Sequence, residues 1–131
     1  MFSTSIGDQS YVTDLKNGQV WKISTKNGTM EPLLKPILKG GRLQKMPGLA
    51  GIVSDAKGNL IAASTHANQE SFLEIFQQDQ HVKTIKLAGD KSLSGMCLAN
   101  QFLYICDLTH RAIDIYSITK KPIKVLRRKG N

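Results

Sequence analysis

The feature that most constrains this chain is that it repeats itself three times. The stretch Phe2-Ser3-Thr4-Ser5-Ile6-Gly7-Asp8-Gln9-Ser10-Tyr11-Val12-Thr13-Asp14 aligns without a gap on Ile52-Val53-Ser54-Asp55-Ala56-Lys57-Gly58-Asn59-Leu60-Ile61-Ala62-Ala63-Ser64. A third stretch, Met96-Cys97-Leu98-Ala99-Asn100-Gln101-Phe102-Leu103-Tyr104-Ile105-Cys106-Asp107, aligns with one residue fewer in its turn. Each reads as a short strand, a tight polar turn and a second apolar strand. Gly7-Asp8, Gly58-Asn59 and Asn100 supply the turn chemistry. A loop follows each hairpin (16–18, 65–71 and 108–111), and then two more β-rich stretches. These are 19–24 and 30–34, then 72–76 and 82–87, then 112–118 and 123–126. Val82-Lys83-Thr84-Ile85-Lys86-Leu87 shows the alternation of a half-exposed strand. β-Branched and aromatic residues dominate throughout, and no segment carries a helical period.

The repeats are offset by 50 residues from Asp14 to Ser64 and by 43 from Ser64 to Asp107. Four strands per period of that length mean propeller blades. The expected fold is therefore all-β, one partial propeller domain of three four-stranded antiparallel blades, at about 1–46, 47–92 and 93–131. The surplus residues between the first two units, 35–48, form a long inter-blade loop.

Lys and Arg number 18 against 10 Asp and Glu, for a net charge of +8. Such a balance favours anionic partners. Six of the basic residues fall in the last twelve positions: Lys120, Lys121, Lys124, Arg127, Arg128 and Lys129. They read as a solubilising tail and a charged edge strand that discourages sheet-to-sheet pairing. In a propeller, the loops between second and third strands share one face with the inter-blade loops. Here those loops carry Lys16, Lys35, Lys39, Arg42, Lys45, Lys91 and Arg111, against Glu70 and Asp90. The expected face is basic, with few aromatic residues for base stacking.

The chain shows no run of 18 apolar residues and no basic-then-apolar leader, so a membrane partner is not expected. If complete, it would be cytoplasmic. Cys97 and Cys106 match no zinc spacing and read as buried free thiols. Their strand positions put them on one side of a hairpin but diagonally offset. Trp21 reads as packing toward a neighbouring blade.

No catalytic triad and no metal set can be assigned from spacing. His66 and His110 lie in loops of the same face, where a shared metal or base is conceivable, although solvated loop histidines are the commoner case. Asp14 and Asp107 end equivalent strands, with Ser64 between them in the repeat. A ring of carboxylates could hold a divalent cation such as calcium. The alternative is that each caps the turn that follows it.

The units resemble the six-bladed propeller superfamily of NHL repeats and gluconolactonase-like (senescence marker) proteins. The likeness rests on Leu49-Ala50-Gly51-Ile52-Val53-Ser54-Asp55-Ala56-Lys57-Gly58-Asn59-Leu60-Ile61-Ala62-Ala63 and on Asp14-Leu15-Lys16-Asn17-Gly18-Gln19-Val20-Trp21-Lys22-Ile23. It implies that three blades are half a ring. The rest would come from a second copy in a dimer, from a longer propeller, or from a partner protein. It also implies, for the lactonases, a divalent metal held in part by residues just before the glycine of an innermost strand. Ala50 and Ser94 stand at those places here, and neither is a good ligand. The expected function is a non-catalytic binding module. Its basic loop face, with Lys16, Lys39, Arg42, Lys45, His66, His110 and Arg111, would meet a protein or another anionic ligand. The alternatives are a lactonase-like hydrolase with an incomplete metal site and NHL-type RNA binding.

Overall fold

Twelve strands account for the regular structure. In this computed structural model residues 2–33, 48–66, 68–118 and 125–130 are described. The strands are β1 (Ser3–Ile6), β2 (Gln9–Asp14), β3 (Gln19–Ser24), β4 (Met30–Leu33), β5 (Leu49–Ser54) and β6 (Asn59–Thr65). They continue as β7 (Ser71–Gln77), β8 (Gln80–Leu87), β9 (Leu93–Ala99), β10 (Phe102–Asp107), β11 (Ala112–Ser117) and β12 (Val125–Gly130). They form three four-stranded sheets, β1-β2-β3-β4, β5-β6-β7-β8 and β9-β10-β11-β12, antiparallel throughout. The chain is three propeller blades, as the repeat period requires.

Local chemistry explains the hairpins. Gly7 takes a φ of +56° at the β1–β2 turn, and Asn100 takes +57° at the β9–β10 turn, the conformation that Gly and Asn reach most cheaply. In the second blade Asp55 organises the turn: its carboxylate accepts from the Lys57 and Asn59 amides, both at 2.9 Å, and from Asn59 Nδ2 at 2.8 Å. Pro32 sits on the outermost strand β4, where a missing N–H costs least.

The cores lie between the blades, because each sheet has two faces. Tyr11, Val20 and Leu33 of blade 1 pack against Leu49, Ile52, Leu60, Ala62 and Phe76 of blade 2. The opposite face of blade 2, with Val53, Ile61, Ala63, Leu73 and Leu87, packs against Leu93, Leu103, Ile105 and Tyr116 of blade 3. Val20, Phe76 and Leu103 are wholly buried, each worth about 1.5–3 kcal/mol against exposure. Polar ties tune the seams. Tyr11 donates to Asp79 Oδ1 at 2.7 Å, and Lys22 of the same blade pairs with the other oxygen. Burial and then the Asp79 contact push the Tyr11 hydroxyl well above its ordinary range. Asp79 reaches this place from a turn whose two residues, Gln78 and Asp79, both have positive φ.

Three expectations need correction. The last strand, Val125–Gly130, runs on beyond its expected end at residue 126, because Arg128 is drawn into the sheet by a buried carboxylate opposite it; residues 123 and 124 lie outside the described residues. The cysteines are free, but Cys97 is exposed and Cys106 half-buried, since they lie on the blade 3 face that no described blade covers. Trp21 is on the sheet face opposite Val20, as β alternation demands, but that face points away from blade 2.

The innermost strands β5 and β9 approach closely at Gly51. A Cβ there would meet Met96 Cγ at 2.7 Å, and the Met96 nitrogen and Ser94 oxygen at 3.0 Å. Gly51→Ala should therefore destabilise the chain by about 1–3 kcal/mol through overpacking, read as a lower urea midpoint at unchanged slope.

Candidate functional site

The polar chemistry concentrates at the end of the blades where β2 turns into β3, β6 into β7 and β10 into β11. Main-chain bonds tie these turns to the inter-blade link: Lys91 N donates to Gln69 O at 3.2 Å, and Leu108 N to Ser92 O at 2.8 Å. Lys91 is thereby carried into the seam between blades 2 and 3, and its side chain is almost fully buried.

Two buried carboxylates await it. Asp107 ends β10, and Asp114 stands in the otherwise apolar run Ala112-Ile113-Asp114-Ile115-Tyr116. Strand register sets Ile105, Asp114 and Arg128 side by side on one face. Lys91 Nζ donates to Asp114 Oδ2 at 2.7 Å and lies 3.9 Å from Asp107 Oδ2. Arg128 grips Asp114 with Nε at 2.6 Å and Nη2 at 2.8 Å, and reaches Asp107 Oδ2 with Nη2 at 3.1 Å. Two carboxylates and two cations thus cancel. The bidentate arginine supplies the orientation that makes a buried pair tolerable.

Asp107 also caps its turn: Oδ1 accepts from the Ser92 and Thr109 amides at 3.2 and 3.1 Å. His110 Nδ1 lies 2.6 Å from Oδ2. The carboxylate can only accept, so Nδ1 carries the proton of that bond. Burial alone would raise the Asp107 carboxyl. The His110 and Ser92 hydrogen bonds, with the His110 and Lys91 charges, outweigh burial and hold it below the usual range. Burial opposes ionisation of Asp114 likewise, and Arg128 and Lys91 reverse it. The Tyr116 hydroxyl is buried with no hydrogen-bond partner among the described residues, and burial, then the Asp114 charge, pushes it well above its ordinary range.

An aspartate orienting a half-exposed histidine is the geometry of a general base. Its nucleophile is missing: among the described residues no hydroxyl or thiol is hydrogen-bonded to His110, and Cys106, next to Asp107 on the strand, projects from the opposite face. Asp14, the equivalent of Asp107 in blade 1, accepts from Asn17 Nδ2 at 2.7 Å, from the Asn17 amide at 3.2 Å and from Trp21 Nε1 at 3.3 Å. Those bonds, the Asn17 side chain first, lower its carboxyl. Each aspartate is held by its own turn, and Ser64 between them in the repeat is buried, its hydroxyl without a partner among the described residues. Among the described residues no three His, Cys, Asp or Glu side chains gather as a metal set. Ala50 is buried and Ser94 offers one hydroxyl, so neither provides the carboxylate or amide oxygen that a lactonase metal would need.

The His66 ring lies tilted by 44° against Phe72, with ring centroids 4.6 Å apart, and among the described residues it makes no bond to the Asp107 group. Lys16 and Arg111 are exposed at turn tips. Lys39, Arg42 and Lys45 lie outside the described residues. Sequence reasoning missed Asp114 and Arg128 as partners and counted Lys91 as a surface charge. The available signal was Asp114 itself, a carboxylate at a core-facing position of a strand.

Both network carboxyls titrate below their ordinary value in the folded chain. The stability they supply is complete above about pH 4 and is lost as the pH falls through the folded values. Asp114→Asn should remove about 3–5 kcal/mol at neutral pH, because it leaves Lys91 and Arg128 undercompensated. It should also flatten the dependence of stability on pH below about 4, measured by urea unfolding at each pH.

Neither a protein-family profile nor a curated protein matches this sequence. Solved structures do. The hydrazine synthase of Kuenenia stuttgartiensis superposes with a TM-score of 0.67 at 13% identity, over 99% of this chain and 35% of that one. The major Malassezia sympodialis allergen Mala s 1 gives 0.68 at 13% identity, over 98% of this chain and 48% of that one. Hsv2 of Kluyvelomyces marxianus gives 0.55 at 12% identity, over 95% and 46%. The chain spans between about a third and a half of these proteins. At such identities the likeness is one of fold alone, and it places the chain among multi-blade all-β structures.

Proposed function

We propose that this chain is a non-catalytic propeller module of the NHL or gluconolactonase-like kind, which takes an anionic partner on its turn-bearing end. The observation that carries the reading is electrostatic. The two acids set deepest at that end, Asp107 and Asp114, are neutralised by Lys91 and Arg128 and cannot cancel the exposed cations. Glu70 lies 3.5 Å from Lys86. Lys16 and Arg111 stand exposed at the turn tips. The segment 34–47, outside the described residues, carries Lys35, Lys39, Arg42 and Lys45 with no acid among them. Half-buried Asp14 and exposed Asp90 offset part of this charge.

The family kind is supported by the second blade. There the Asp-x-x-Gly-Asn spacing has a physical reason: Asp55 caps the turn, and Gly58, at a φ of +83°, completes it. A hydrolase is less well supported, because among the described residues no side-chain nucleophile meets the Asp107–His110 pair, and Ala50 and Ser94 lack metal-binding oxygens of the needed kind.

The test is fluorescence anisotropy with a labelled oligo-glutamate peptide and a single-stranded RNA of equal charge. The peptide should bind, and more weakly as salt rises. The double variant Lys16→Glu/Arg111→Glu should weaken it about tenfold, since exposed ion contacts are worth roughly 0.2–1 kcal/mol each and 1.4 kcal/mol is a factor of ten. Salt-insensitive binding, or equal binding by parent and variant, would refute the basic-face reading. A clear preference for RNA would assign the face to nucleic acid instead.

A further inference from the structure

We propose that the two flanks which the described blades leave uncovered are interfaces for a second copy of the chain, the pair closing one ring of six blades. The inference rests on register and is independent of what the loop face binds. On blade 2, Ile61, Ala63, Leu73 and Ile75 form the face that blade 3 covers. The same positions on blade 3 are Tyr104, Cys106, Ile113 and Ile115, again paired in register and again apolar. No described blade covers them. Ile113 is 42% exposed, and Phe102 beside them 39%. Ile115 alone is already buried.

Blade 1 shows the converse. Leu60, Ala62 and Phe76 of blade 2 form the face that blade 1 covers. Their counterparts on blade 1 are Ser10, Val12 and Ile23, flanked by Trp21 and Met30. This flank holds a hollow of about 450 Å³ lined by Val12, Trp21, Ile23 and Met30, and Met30 is 59% exposed. The three described blades therefore present on one side the kind of face that receives a following blade and on the other the kind that receives a preceding one.

Charge decides for a second copy over an unrelated cover. The blade 1 hollow is edged by Asp14, whose hydrogen-bond partners among the described residues, Asn17 and Trp21, are neutral, so no described cation pairs with it. The blade 3 flank has a hollow of about 460 Å³ in which Ile113 and Cys106 are joined by Lys129, the residue opposite Ile113 on β12, and by Arg111, while the one acid there among the described residues, Asp107, is already paired with Lys91 and Arg128. Asp14 ends β2 and Lys129 lies against the start of β11, so both stand at the turn-bearing end of their blades. Docking blade 3 of one copy on blade 1 of the other brings the opposite charges to the same level. A two-fold axis then makes both seams identical and leaves no blade face bare.

The experiment is light scattering after size exclusion on the full chain across a hundredfold range of concentration. A dimer of twice 14.4 kDa is expected. The single variants Ile113→Asp and Met30→Glu, each at a position exposed in one copy, should both give a monomer whose far-UV circular dichroism is unchanged. Labelling of Cys106 by a maleimide should be slower in the parent than in either variant. A parent that is monomeric at every concentration would overturn the proposal and assign the flanks to blades of another chain or segment. An open series of larger oligomers, or a dimer indifferent to both substitutions, would overturn the closed ring equally.

Discussion

A four-stranded blade with two apolar faces cannot be stable alone. It needs a neighbour on each side. That requirement organises everything else in this chain. Tyr11, Val20 and Leu33 are buried because blade 2 lies over them, and Leu103, Ile105 and Tyr116 because blade 3 lies back on blade 2. Between innermost strands the demand is strict enough to require a residue without a side chain at Gly51. Stability is then close to a sum of blades and seams, so a change at one seam is felt at that seam first.

The blades were legible from the sequence because their causes are local. Alternation along Val82-Lys83-Thr84-Ile85-Lys86-Leu87 needs no knowledge of the rest of the chain, and neither do the turns at Gly7, Gly58 and Asn100. The diagonal placing of Cys97 and Cys106 followed from the turn position alone, and the register pairs Cys97 with Tyr104, two residues from Cys106. What was not legible has non-local causes. Lys91 is a loop cation in sequence, and only the docking of blade 3 on blade 2 turns it inward. Arg128 is one of a run of basic residues, and only the register against Asp114 singles it out. The cysteines were expected inside because their strands are apolar on both faces. Which face is covered depends on which blades are present.

The network of Lys91, Asp107, Asp114 and Arg128 is more than a stabilising cluster. Replacing such a group with apolar residues of similar volume can leave stability unchanged or raise it. What the network supplies is selectivity of contact. A blade placed there with an apolar residue at the position of Lys91 would strand a buried negative charge. The seam between blades 1 and 2 uses other groups to similar effect: buried Glu74 holds Thr84 and, at 3.1 Å, His81, while Asp79 holds Tyr11 and Lys22.

One register position shows how the three blades have diverged. Val12, Trp21 and Pro32 stand in a row across blade 1, Ala62, Glu74 and Thr84 across blade 2, and Ile105, Asp114 and Arg128 across blade 3. The central member is a tryptophan, a glutamate and an aspartate in turn. Where blade 2 and blade 3 face a neighbour within the chain, that member is an acid satisfied by specific partners. On blade 1, where the described chain supplies no neighbour, it is the large apolar ring whose indole N–H is turned to Asp14. An acid left there would stay solvated until its own partner arrived. A tryptophan asks only for an apolar surface, and Tyr104, Cys106 and Ile113 form one on the flank of blade 3 that no described blade covers.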